Sequence, residues 1–162
     1  MTEDRLTTVA FTGHRTYGGQ AAAALRATVG ELYARGFRTF LCGMAMGCDL
    51  YFCEAVLELR SRHPDVTVEA AIPCPTQSDA WPADQRERYR RLVKACDFET
   101  VVSQQYSASC MQRRDRYMVD HAALLIAVHD GQPGGTRRTI EYAMRRRLDV
   151  VILPPVENEK ET

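Results

Sequence analysis

The chain has 162 residues and a mass of 18.3 kDa, about one domain's worth given the usual ~100–150 residues, and its 45% apolar content suffices for a core without disulfide or metal staples. Lys plus Arg (21) balance Asp plus Glu (21), with a pI near 6.9. That balance argues against bulk electrostatic adhesion to nucleic acid or to acidic membranes, so neither is expected as a partner. The longest apolar run, Ala122–Val128, is seven residues, far short of the ~20 that a membrane span needs. The first eight residues are polar and carry no secretory pattern, so a cytoplasmic location is expected. Cysteines at 42, 48, 53, 74, 96 and 110 form no Cys-x-x-Cys motif. They read as small core residues in a reducing compartment, and no metal site is anticipated.

Two periodicities alternate along the chain. Thr8–Thr12 is a short apolar run read as a buried strand, and 21–35 carries a helical stripe stopped by Gly36. Phe37–Cys42 is the second predicted strand, followed by a glycine-bearing loop and a helix over 50–60. Val66–Ile72 is the third, closed by Pro73 and Pro75. A charged helix over 84–95 precedes a fourth strand at 98–103. A helix at 109–122, a strand at 124–129, a helix at 136–147 and a strand at 150–153 complete the order. Residues 1–153 are read as one domain and 154–162 as a mobile acidic tail. Strands that are apolar throughout, alternating with helices, predict an α/β fold with a mainly parallel sheet of about six strands. In such folds ligands bind beyond the carboxyl ends of the strands.

The strand ends carry the polar motifs. After the first strand comes Thr12-Gly13-His14-Arg15, either an anion-binding turn or a plain tight turn. After the second, Gly43-Met44-Ala45-Met46-Gly47-Cys48-Asp49 feeds straight into a helix, an arrangement that can wrap phosphate oxygens with backbone amides. It lacks both the dinucleotide fingerprint and a Gly-Lys-Ser/Thr ending. Asp49 either caps the helix or accepts from ribose hydroxyls. Trp81, on the loop after the third strand, either stacks on a base or packs on the next helix. On the helix over 109–122, Met111, Met118 and Ala122 predict the buried stripe, with Asp115 inside it and Arg114 at its margin. Charges there need partners or a polar cavity. After the fifth strand, Asp130 precedes Gly134-Gly135-Thr136, a second anion-type turn entering a helix. Two such turns on separate strands point to a ligand larger than one phosphate.

Taken in order, Thr12–Arg15, Gly43–Asp49, Pro73-Cys74-Pro75 with Gln77 and Trp81, Arg114–Asp120 and Gly134–Thr136 resemble the YpsA-like branch of the SLOG superfamily, over roughly residues 7–153. The resemblance implies a Rossmann-like three-layer sandwich. It also implies a ligand that is a nucleotide or nucleotide-derived, of the ADP-ribose or NAD-derived type. A role as a sensor in stress or phage-conflict pathways, and a homodimer, follow from the same likeness. The pattern usually has Asn where this chain has Asp115. The more distantly similar Lonely Guy phosphoribohydrolases imply an alternative, cleavage of the N-glycosidic bond of a nucleoside monophosphate, with Arg114 and Glu141 as the catalytic pair. This chain departs from that pattern at Asp115 and at Arg137-Arg138. Read from the residues themselves, Glu141 is an exposed helix residue balancing Arg137, Arg138 and Arg145 at helical spacing.

Overall fold

Successive residues of the central strands face two different cores. Val9 and Phe11 point to one, Ala10 to the other; Leu124, Ile126 and Val128 join the first, Leu125 and Ala127 the second. This is why the strands read as unbroken apolar runs. In the computed structural model, which describes residues 2–15 and 19–155, these strands are β1 (Thr8–Thr12), β2 (Thr39–Cys42), β3 (Thr67–Ile72), β4 (Phe98–Val101), β5 (Leu124–Val128) and β6 (Asp149–Leu153). They form one sheet in the order β4-β3-β2-β1-β5-β6, parallel at every pairing. The acidic tail expected at 154–162 lies, from residue 156 onward, outside the described residues.

Helices cover both faces. The first core receives Leu25, Val29 and Leu32 from α2 (Ala22–Ala34), Leu50, Phe52, Val56 and Leu59 from α3 (Cys48–Arg62), and Leu92 from α4 (Ala83–Ala95). Met118 and Val119 of α5 (Cys110–Asp120) and Ile140 and Ala143 of α6 (Gly135–Arg145) fill the second. The fold is therefore a Rossmann-like α/β sandwich. From β1 the chain steps outward to β4, then returns to the other side of β1 as β5. The order reverses between β1 and β5, and their outgoing loops diverge to opposite faces. A crevice at the carboxyl edge follows from that topology.

Element bounds depart from the sequence reading by a residue or two, with two informative exceptions. Phe37 and Arg38 are not in β2: Gly36 turns at φ +106 and the Phe37 N–H returns to the Leu32 carbonyl at 3.0 Å, closing α2 with a Schellman turn. The buried stripe predicted over 109–122 keeps Met118 and Ala122, but at its start Cys110 and Arg114 are buried in place of Met111 and Asp115. Cys110, Arg114 and Met118, spaced by four, are buried, so Arg114 rather than Asp115 is the charge inside. A further short helix, α1 (Thr2–Leu6), precedes β1 and is too short to show a period in the sequence. All six cysteines are free, five of them buried.

Phe52 of α3 stacks on Phe11 of β1 with centroids 4.4 Å apart and reaches Phe40 of β2 at 6.4 Å. Truncating this fully buried ring leaves a cavity under β1 and β2, two of the strands that carry the site loops. Phe52→Ala is expected to cost about 3–5 kcal/mol, read as a lowered urea midpoint.

Candidate functional site

The loops leaving β1, β2 and β5 meet over one cleft of about 450 Å³ at the carboxyl edge of the sheet. Thr12, Gly13, His14 and Arg15 form one wall, Ala45 and Asp49 the floor, and Gly134, Gly135 and Thr136 the facing wall. The two glycine-bearing turns therefore lie on the same rim, but they are differently built. The Gly43–Gly47 turn is packed shut. Met44 is fully buried and held at φ +61, and a Cβ on Gly47, itself at φ +90, would run into the backbone of His14 and Arg15. The Cys48 N–H donates to the His14 carbonyl at 3.1 Å. Only Ala45 of this turn faces the cleft, and its N–H is already given to the Asp49 carboxylate at 3.0 Å. Asp49 thus neither occupies the N-cap, which is Gly47, nor stands free; it fastens the turn.

The Gly134–Thr136 turn is open. It starts α6 with Gly134 at φ +144, and no side chain caps it. The first-turn amides of an α-helix have no intrahelical acceptor, so this end presents N–H groups and the positive end of the helix dipole. A Cβ on Gly135 would meet only the Arg138 guanidinium at 3.9 Å, so the approach is clear.

Behind both turns lies a buried ionic cluster. Arg114, 4% exposed, donates to the Gly43 carbonyl, to the Ala71 carbonyl at 3.4 Å and to Asp115 at 2.8 Å. Asp115 in turn accepts the Thr139 hydroxyl of α6 at 3.2 Å. A Cβ on Gly43 would lie 2.8–2.9 Å from the Arg114 guanidinium and the Asp49 carboxylate, which is why glycine is needed there. Burial works against charge on Arg114, but Asp115 and Asp49 more than offset it and its pKa is raised. For Asp49 burial dominates over the attraction of Arg114 and the Ala45 N–H, and its pKa is pushed up to about 6.

Arg114 and Glu141 are not brought together. Glu141 of α6 is half exposed and paired with Arg137 at 3.4 Å; it lines a hollow between α5 and α6 that adjoins the cleft, sharing Met111, Asp115, Gly135 and Arg138 with it, but that Arg114 does not line. Trp81 is not among the cleft residues either; its ring meets Tyr89 edge-on at 5.2 Å, the packing alternative of the sequence reading. Asp130 stands beside His14, 3.5 Å from its Nε2. Sequence reasoning passed over Tyr106–Ala108, which border the cleft from the loop after β4, and Arg138 and Met111, which also line it. The position of the Tyr106 loop, directly beyond a strand end, was the available signal. His129, the residue after β5, was likewise not singled out; its ring stacks 5.8 Å from that of His14.

A parallel, doubly wound sheet with a polar cleft at its switch point defines a Rossmann-like α/β domain. The chain belongs to the YspA SLOG family (YpsA), whose family model matches residues 19–149. It is 32% identical over 121 residues to the uncharacterized SPbeta prophage-derived protein YoqJ of Bacillus subtilis, covering 67% of this chain and 71% of that protein. It is 24% identical over 135 residues to a UPF0398 protein of Halalkalibacterium halodurans, covering 79% and 71%. Among solved structures it is similar to the DNA processing protein DprA of Streptococcus pneumoniae (TM-score 0.68, 17% identity, 98% of this chain). It spans about half, 53%, of that chain. It is also similar to Helicobacter pylori DprA (TM-score 0.67, 16% identity, 97% of this chain and 68% of that one), a protein described by its single-stranded DNA binding mode. These likenesses establish the fold. The expectation against nucleic acid draws no support from that neighbour; a net charge of zero says nothing about where the arginines cluster. No helix among the described residues is long and apolar enough to cross a membrane.

The raised pKa of Asp49 fixes a pH dependence. The folded chain holds this proton more tightly than the unfolded one, so the stability linked to it is complete below the usual carboxylate value of 3.8. It is lost as pH rises through about 6. Asp49→Asn keeps an acceptor for the Ala45 N–H and removes the titration. The variant's urea midpoint is expected to rise relative to wild type between pH 4 and 7, and a gap that stays constant across that range would contradict the assignment.

Proposed function

We propose that this chain is a binding module for a nucleotide or nucleotide-derived anion of the ADP-ribose or NAD-derived type. The supporting observation is the convergence of three strand-end loops on one cleft at the β1/β5 switch point, with an uncapped helix start on its wall. In this reading phosphate oxygens meet the amides of Gly135 and Thr136, with Arg15 and Arg138 at the rim supplying charge. Tyr106, 73% exposed and bordering the cleft, takes the base-stacking place that the sequence offered to Trp81. The Gly43–Gly47 turn, fastened by Asp49, shapes the floor instead of gripping the ligand. A cytoplasmic sensor role in phage conflict fits the likeness to a prophage-derived relative. The alternative, glycosidic hydrolysis by Arg114 and Glu141, has against it the engagement of each with a different partner.

Thermal denaturation with ADP-ribose, NAD or AMP tests the proposal. A ligand at about 100 times its Kd adds about 2.7 kcal/mol, a rise of roughly 5–10 °C in Tm for a domain of this size. Gly135→Val, which meets no backbone in the free protein, is expected to leave the ligand-free Tm nearly unchanged and to abolish the rise. A rise with a short single-stranded oligonucleotide, and none with the three small ligands, would replace this reading with a nucleic-acid one.

Tyr106→Ala is expected to weaken the effective ligand about tenfold, the worth of one base–aromatic stack. Isothermal titration of both proteins checks this, and equal affinities would remove the tyrosine from the base site.

A further inference from the structure

The parallel register of β1 and β5 sets Thr12 beside Ala127. Two residues further along each strand stand His14 and His129, so the pairing carries both imidazoles past the sheet edge side by side. Neighbouring strands lie about 4.8 Å apart, and the two rings come to rest 5.8 Å apart and 22° from parallel. Asp130 follows directly. One donor atom from each of the three side chains lies within 4.8 Å of the other two. His14 Nε2 approaches Asp130 Oδ1 at 3.5 Å without forming a hydrogen bond.

Both His14 Nε2 and His129 Nδ1 are shut off from solvent and find no hydrogen-bond partner among the described residues. Such orphaned nitrogens are costly, and an ion is one of the few things that satisfies two of them together. Two imidazoles and a carboxylate suit zinc and similar divalent first-row metals, not magnesium or calcium. In a tetrahedral site with bonds of about 2.0–2.1 Å, neighbouring ligand atoms are roughly 3.3 Å apart. The His14–Asp130 pair already stands near that spacing at 3.5 Å, and the two edges to His129, each within 4.8 Å, close with small rotations about its side chain. The Gln132 N–H, 3.0 Å from Asp130 Oδ1, holds the carboxylate in place, as outer-shell donors do around metal ligands.

We propose that His14, His129 and Asp130 form a three-ligand site for a zinc-class divalent cation at the β1/β5 switch point. His14 also lines the cleft. The remaining tetrahedral position is therefore available to water or to an anionic oxygen of a molecule held there. Three protein ligands with one open position is the pattern of zinc sites that engage a second molecule. Metal binding stands apart from the nucleotide reading and is tested without any nucleotide.

The 162-residue chain, stripped with a chelator and exchanged into metal-free buffer, is titrated with zinc in competition with a chromophoric chelator. One zinc per chain is expected, with His129→Ala and Asp130→Asn each weakening it more than about tenfold, beyond the low end for losing an outer-shell partner. His121→Gln, altering an imidazole bonded to the Tyr117 carbonyl elsewhere, is expected to bind like wild type. Melting curves in chelator confirm that the variants fold. Cobalt loaded in place of zinc is expected to show visible d–d bands without an intense thiolate charge-transfer band. Absence of stoichiometric zinc binding, equal affinity in the ligand variants, or a thiolate band placing the ion on cysteines would each overturn the proposal.

Discussion

The guanidinium of Arg114 is the contact on which the architecture of the cleft depends. Through it α5 is tied to the carbonyls of Gly43 beyond β2 and Ala71 in β3, and through Asp115 to Thr139 on α6. A buried cation is tolerated only when its donors and its charge are both answered. Here two carbonyls and Asp115 take the donors, while Asp49 adds a second negative charge across the Gly43 turn. A lysine has the charge but not the planar fork that reaches carbonyl and carboxylate at once. The glycine at 43 is a consequence of this arrangement: the guanidinium and a carboxylate occupy the place where a side chain would go.

This clamp separates two roles that look alike in the sequence. Both glycine turns precede helices and both resemble anion loops, yet one is consumed by internal contacts. The Asp49 carboxylate takes an amide that a phosphate would otherwise compete for, and His14 takes another through its carbonyl. The Gly134–Thr136 turn keeps its amides because no capping side chain reaches them. In the proposed binding reading, an anion entering the cleft therefore meets a packed floor and one receptive wall, and its recognition would concentrate on the start of α6 and the loops that face it.

The strands, the five helices α2 to α6 and the strand-end turns were legible in the sequence because each is set by local chemistry: apolar runs, stripes of helical period, glycine and proline punctuation. What was not legible depends on lateral neighbours. The buried charge of α5 was misplaced by one residue because periodicity ranks arginine as a surface residue, and only the carbonyls of Gly43 and Ala71 together with Asp115 make the burial of Arg114 tolerable. Tyr106 reaches the cleft through the path of a loop that carries no periodic signal. His14 and His129 are far apart in sequence and become neighbours only once β1 and β5 pair in parallel, a register no single segment encodes.

The same register argument explains why one fold at 16–17% identity to its structural neighbours does not by itself dictate a ligand. Sheet order fixes where the crevice falls, since the loops after β1 and β5 must part to opposite faces. The residues of the loops beyond those strands decide what the crevice accepts. In this chain they include two imidazoles, an arginine and a glycine-rich helix start, and the cleft is lined by three arginines, Arg15, Arg114 and Arg138, against two carboxylates, Asp49 and Asp115, although the whole molecule is neutral. Net charge averages that contrast away. Under the proposed function, Arg15, Arg138 and the start of α6 are the groups at the switch point left to receive a negatively charged molecule, since Arg114 is already paired with Asp115.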